Sequence, residues 1–218
     1  MYFYNMNKIQ QNLLVLKKNL PERVKLVAVS KTKPENELLE AYGAGQRVFG
    51  ENKIQEMASK FNVLPKDIQW HMIGHVQTNK VKYMAPFVHT IHTVDRLKLL
   101  KEIQKQAFKN NRIIECLIQV RIAQEETKFG ITSNELNTLL EIAPSFSNVK
   151  INGLMGMASF TSNKEQIRNE FNLLAKLFNS HPELKVLSMG MSGDYQIAIE
   201  EGSNMIRVGS KIFGERNY

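Results

Sequence analysis

One lysine stands where an apolar strand would deliver it. Leu26-Val27-Ala28-Val29 runs straight into Ser30-Lys31-Thr32. Apolar surroundings disfavour an ammonium, so such a lysine loses proton affinity. The neutral amine is the form that attacks an aldehyde to make a Schiff base. A lysine that has already reached solvent, or one that simply holds an anion, fits the same residues. Two later segments, Gly190-Met191-Ser192-Gly193 and Arg207-Val208-Gly209-Ser210, each bring glycine and serine to the start of a helix. Glycine lets the backbone approach a ligand, serine adds a hydroxyl, and N–H groups at a helix start attract an anion. Turn formation explains either loop alone; both together favour a phosphate.

The other chemically capable residues are less specific. Glu51, beside Asn52, reads as an orienting hydrogen-bond partner, with a general base as the alternative. His71 and His75 flank Gly74 four residues apart, a zinc spacing on a helix, but this segment reads as a strand and its end. His89 and His92 flank the fourth apolar run and read as structural. Lys80, in Gln77-x-Asn79-Lys80, suits an anion, a partner or a plain helix start. Most methionines read as core filler, with Met155 and Met157 near the site. Cys116 lies mid-strand as inert core.

These residues need a scaffold, and the period of the chain supplies one. After an opening helix at about residues 6–20 (Met6, Ile9, Leu13, Leu16, Leu20), short Val/Ile-rich runs alternate with segments of helical period. The runs are Lys25–Ser30, Arg47–Gly50, Gln69–Gly74, Val88–Val94, Ile113–Ile122, Val149–Met157, Val186–Met191 and Met205–Val208. Thr32 to Glu35, Thr132 to Glu135 and Ser162 to Glu165 each match a capping box. Strands alternating with helices imply a parallel sheet, and eight units in about 200 residues imply a closed α/β barrel, a (β/α)8 TIM barrel. A doubly wound open sheet is the alternative, weakened by the lack of G-x-G-x-x-G after the first strand. No Ser- or Pro-rich linker divides residues 1–218, which read as one domain. In such a barrel, function gathers at the C-terminal mouth, and phosphate is held by the loops after strands 7 and 8. A phosphate cradle across the mouth from an aldehyde-reactive lysine points to pyridoxal 5′-phosphate.

Composition narrows the field further. The chain has 218 residues, 43% hydrophobic and 23% charged, which excludes a mainly disordered protein. The longest purely apolar runs, such as Leu13–Leu16, have four residues, far short of the roughly 20 that cross a bilayer. The N-terminus lacks the basic-then-apolar order of a secretion signal, and one cysteine suits a reducing cytoplasm. The net charge of +8 is spread along the chain without a long basic run, zinc spacing or RNA-module signature, so a solvated basic surface is favoured over nucleic-acid binding.

With these residues in place, the sequence resembles the YggS/PROSC family of pyridoxal-phosphate homeostasis proteins, single barrels similar to the N-terminal domain of alanine racemase. The likeness runs from about Val24 to Arg216. It is carried by AVSKTKP (28–34), VFGENKIQE (48–56), WHMIGHVQTNK (70–80), HTVD (92–95), KFGI (128–131), GLMGMAS (153–159) and LSMGMSGDYQIAIEEGSNMIRVGSKIFGER (187–216). The resemblance implies that Lys31 forms the internal aldimine and that Ser192, with the backbone of Gly209 and Ser210, holds the phosphate. It also implies that Arg207 faces the pyridine nitrogen, that Asn52 lies beside the cofactor and that Met191 lines its pocket. Residues 1–20 match only as a helix, and Ser210 stands where members often carry threonine, which retains the hydroxyl.

Arginine has only donors and stays charged, so Arg207 favours an unprotonated ring nitrogen and a weaker electron sink. The expected function is therefore a monomeric cytoplasmic carrier that binds pyridoxal phosphate and hands it to apo-enzymes without substantial catalysis. The competing expectation is an amino-acid racemase. It is disfavoured because the racemase family draws its opposing tyrosine from a second domain and this chain ends at Tyr218.

Overall fold

Lys25–Val29 (β1), Val48–Glu51 (β2), Gln69–Met72 (β3), Thr90–Val94 (β4), Ile114–Gln119 (β5), Val149–Met155 (β6), Val186–Ser188 (β7) and Met205–Val208 (β8) pair in that order in the computed structural model. Residues 6–125 and 129–215 are described; Lys128, Arg216 and Tyr218 lie outside them. β8 closes on β1 with Lys25 opposite Met205 and Ala28 opposite Val208. Every pairing is parallel, so all eight C-terminal strand ends open on one mouth. This is the (β/α)8 barrel that the alternation implies.

Outside the strands lie Glu35–Gly43 (α2), Ile54–Val63 (α3), Leu97–Lys109 (α4), Ser133–Ile142 (α5), Lys164–Asn179 (α6), Tyr195–Glu200 (α7) and Ser210–Phe213 (α8). The opening helix is Lys8–Lys18 (α1), capped by Asn7 and Gln10 in a reciprocal box that the sequence reading did not name. Its Leu13 and Leu16 are buried in the main apolar cluster, and the Asn12 amide donates to the Ile212 carbonyl. That cluster fills the layer between strands and helices, with Phe49, Trp70, Ile91 and Leu154 among its fully buried members.

Several expected boundaries move. The runs at Ile113–Ile122, Gln69–Gly74, Val149–Met157 and Val186–Met191 overreach the strands they contain, because their last residues leave the ladder to form the mouth loops. Thr132 and Glu135 do form a capping box. Thr32 does not: its own N–H donates to Glu56 Oε1 at 2.6 Å, it adopts a φ of 63°, and α2 starts only after Pro34. At α6 the cap is Asn163 rather than Ser162; its carboxamide oxygen accepts from the N–H groups of Glu165 and Gln166. His92 lies inside β4, not beside it, and is fully buried.

Candidate functional site

Lys31 follows β1 by two residues, and the backbone on both sides of it is fastened to one buried ion cluster. Lys60, on α3, is only 4% exposed in its side chain. Its ammonium donates to the Ser30 carbonyl at 2.8 Å, to Glu51 Oε1 at 2.8 Å and to Glu56 Oε1 at 2.7 Å. Ser30 Oγ donates to the same Glu51 oxygen at 2.6 Å. With the Thr32 N–H on Glu56, the residues before and after Lys31 are held by a single charged knot. The second Glu51 oxygen, Oε2, is buried without a hydrogen bond among the described residues. Burial raises the Glu51 pKa, against the pull of Lys60 and the Ser30 hydroxyl.

The sequence reading named Glu51 but missed Lys60 and Glu56. The signal was available. Ile54, Met57 and Lys60 recur every three residues and share the buried face of α3, so a lysine occupies an apolar position.

Beside this knot the loops after β7 and β8 come together. The Gly209 N–H donates to Ser192 Oγ at 3.2 Å. A side chain at Gly209 would put its Cβ 3.1 Å from the Val29 carbonyl oxygen, a tight contact that glycine avoids where the β8 loop lies against the end of β1. Asp194 Oδ1 accepts from the Met191 N–H at 2.6 Å and shapes the β7 loop. The N–H groups of Ser192, Gly193 and Ser210 have no acceptor among the described residues. Met191 is 38% exposed at the rim. On the other side of β1, Asn52 follows β2 half-buried, and its side-chain amide has no partner among the described residues. Gly74 permits the β3 end to rest on it, since a Cβ there would lie 2.3 Å from the Asn52 carbonyl oxygen. Strands β7, β8, β1 and β2 are consecutive around the barrel. Lys31, Asn52, Met191, Ser192, Gly209 and Ser210 therefore share one sector of the mouth.

Arg207 lies deeper, in β8 and 4% exposed. Its Nη1 donates to the Ser188 carbonyl at 2.9 Å and to Ser188 Oγ at 2.7 Å, and its Nη2 donates to the Gly156 carbonyl at 3.0 Å. Its Nε makes no hydrogen bond among the described residues. Burial lowers its pKa to about 10, which leaves it charged at neutral pH. From Ser188 Oγ a chain continues to His92 Nδ1 at 3.1 Å, and from His92 Nε2 to His71 Nδ1 at 2.8 Å. Burial pushes His71 down to about 3, helped by His89 and Lys25. It pushes His92 well below its usual range too, with His71 and Arg207 adding to the effect. Both histidines are neutral at physiological pH.

The remaining candidates lie apart from this sector. His75 stacks on Phe129 and faces Asp95, with Nδ1 3.4 Å from Oδ2. Lys80 lies over the Tyr83 ring, 5.8 Å from its centre, in a 3-10 turn at Thr78–Tyr83. Cys116 is buried and its thiol is pushed up by burial. Among the described residues no three His, Cys, Asp or Glu side chains converge as a metal site. None of the described helices is long and apolar enough to cross a membrane.

The closed parallel (β/α)8 barrel is of the alanine racemase N-terminal domain type, and the description of that domain family matches residues 4–217. Within that class the chain belongs to the pyridoxal phosphate homeostasis protein family. The pyridoxal phosphate homeostasis protein of Aquifex aeolicus is 44% identical over 89% of this chain and 88% of its own. The structure of PipY from Synechococcus elongatus PCC7942 with pyridoxal phosphate bound is 34% identical, with a TM-score of 0.85 over 94% of this chain and 100% of that one. A histidine racemase from Leuconostoc mesenteroides shares the fold alone: it is 15% identical at a TM-score of 0.79, and the likeness spans 57% of its length.

Proposed function

We propose that this protein binds pyridoxal 5′-phosphate in the β7–β8–β1–β2 sector of the mouth and serves as an intracellular carrier or buffer of that cofactor rather than as an enzyme. The observation that carries this reading is the set of N–H groups at Ser192, Gly193 and Ser210 that have no acceptor among the described residues, in loops beside the strand that leads into Lys31. Such donors, with the hydroxyls of Ser192 and Ser210, fit a phosphate dianion. A phosphate there competes with Ser192 Oγ for the Gly209 N–H. Lys31 is the amine that binds the aldehyde covalently. Asn52 offers a free side-chain amide to the ring substituents, and Met191 covers the rim. Arg207 keeps its Nε–H and one Nη2–H without an acceptor among the described residues, donors that suit the ring nitrogen.

When bound, the cofactor supplies an aldehyde and an electron-withdrawing ring. Arg207 keeps its charge and accepts no proton, so it favours an unprotonated ring nitrogen and a weak electron sink. That argues for holding over turnover, with delivery to apo-enzymes as the use of what is held.

The test is to load the protein with pyridoxal phosphate, reduce with borohydride and map the modified peptide. A single label on Lys31 is expected, with none in Lys31→Ala, which should stay folded. Labelling elsewhere overturns the site. For the carrier reading, α-hydrogen exchange of L and D amino acids in heavy water should stay near the free-cofactor background. Rapid exchange with inversion for any one of them would establish a racemase instead.

A further inference from the structure

We propose that Lys60 is a positioning residue for Lys31: its ammonium fixes the backbone on both sides of that amine and so sets how readily Lys31 captures an aldehyde. The inference rests on the reading of Lys31 given above. Three observations on different elements lead to it. All three donors of a buried ammonium are engaged, on the end of β1, the end of β2 and the first turn of α3. Being fully engaged, Lys60 is no nucleophile itself. Its partners Glu51 and Glu56 also accept from Ser30 Oγ and from the Thr32 N–H, the immediate neighbours of Lys31. Thr32 is moreover held at a φ of 63°, a backbone state that a threonine keeps only under outside constraint. A buried ion pair contributes little to stability against an apolar pair of equal volume. A knot placed on either side of the half-buried Lys31 is better explained by what it orients.

In the captured state the Lys31 nitrogen forms a double bond to the aldehyde carbon, and the aldehyde oxygen leaves as water with both amine protons. The Ser30–Thr32 backbone places the Lys31 Cα from which the side chain reaches the aldehyde, so loosening that backbone slows this step. It does not touch the phosphate donors after β7 and β8.

Two ligands separate the effects: pyridoxal phosphate, and pyridoxine 5′-phosphate, which carries an alcohol in place of the aldehyde. In the 218-residue chain, Lys60→Met combined with Glu51→Gln removes both fully buried charges and leaves Glu56, 23% exposed in its side chain, within reach of solvent. It should slow borohydride-trapped labelling of Lys31 by about tenfold or more, while affinity for pyridoxine phosphate stays within about twofold. Lys60→Arg should restore part of the rate. Ser192→Ala gives the opposite pattern, weakening both ligands. Equal loss on both ligands in the Lys60 variant, or an unchanged labelling rate, overturns the proposal. Should the double variant fail to fold, Glu56→Ala at the partly exposed end of the knot removes the acceptor of the Thr32 N–H and of one Lys60 donor while leaving the buried Lys60–Glu51 pair. Labelling about threefold slower is then expected, and an unchanged rate counts against Lys60. If the wild-type protein shows no label on Lys31, the functional reading fails first. If it does and the variants match it, only the role of Lys60 falls.

Discussion

Two buried polar clusters share this barrel, and they are built on opposite terms. Under Lys31, one lysine is shared by two glutamates across a gap between two strand ends and a helix. In the interior, His71, His92 and Ser188 pass a single neutral chain from strand to strand and end on one cation, Arg207, without a carboxylate in hydrogen-bonding contact. Burial disfavours charge in both places. The first cluster answers by pairing charges; the second answers by removing them, except at Arg207. The contrast teaches what each is suited for. A charged knot is stiff and local, fit to hold a backbone. A neutral chain leaves the charge of Arg207 without a direct carboxylate partner among the described residues, with Asp194 acting on it only electrostatically.

The sharpest way to break the comparison is to unpair the charged knot. Lys60→Met alone strands Glu51, fully buried, and should lower unfolding free energy by roughly 3–5 kcal/mol. Adding Glu51→Gln should recover much of that, because the penalty comes from the orphaned charge and not from the lost contact. Urea unfolding of the three proteins measures it. If single and double variants are equally unstable, the knot is ordinary packing.

The neutral chain should yield a smaller effect. His92→Leu removes a partner from His71 Nδ1, while Ser188 Oγ keeps its bond from Arg207. One unsatisfied neutral group predicts a loss of about 1–3 kcal/mol by the same measurement. A loss as large as that of Lys60→Met would mean that His92 carries charge, contrary to the direction in which burial drives it.

The two clusters also differ in how much of them could be read from the residue string. The eight strands are legible because short, largely apolar runs, most of them with Val or Ile, alternate with segments of helical period, and the mouth sector follows from parallel topology alone. Lys31, Ser192 and Arg207 stood out in the sequence because each lies within a strand's last residues or a few residues beyond its end. The charged knot was half-legible: Glu51 stands beside Asn52, and Lys60 repeats the spacing of Ile54 and Met57. The neutral chain was not legible. His71 and His92 are 21 residues apart and meet only through the register of β3 on β4, where His71 lies opposite Thr90. Ser188, 96 residues beyond His92, meets it across the barrel interior. Thr32 misled for a related reason: its cap-like spacing to Glu35 is real, but a carboxylate on α3 takes its N–H first.

Acid should separate the clusters by sign, with the smallest effect of the set. The folded His71 value of about 3 lies below the unfolded value near 6.5, so across that window the unfolded chain binds a proton that the fold refuses. Stability supplied by neutral His71 is complete above about pH 6.5 and is lost as pH falls toward 3, on the order of 1 kcal/mol for each unit. His92 shifts the same way, with His71 and Arg207 facing it. Glu51 is the reverse case. Burial raises its folded value above the unfolded one, so its contribution is present at low pH and is lost as pH rises through the carboxylate range. Between pH 7.5 and 5.5 the histidines therefore dominate, and Glu51 partly offsets them only in stronger acid. Urea unfolding at pH 7.5, 6.5 and 5.5 should show wild type losing on the order of 1–2 kcal/mol over the last step. A His71→Gln/His92→Gln variant should be flatter there, while Glu51→Gln should run parallel to wild type. A wild-type profile without slope in this window would mean the interior chain takes up protons freely, and the distinction between a charged knot and a neutral chain would not stand.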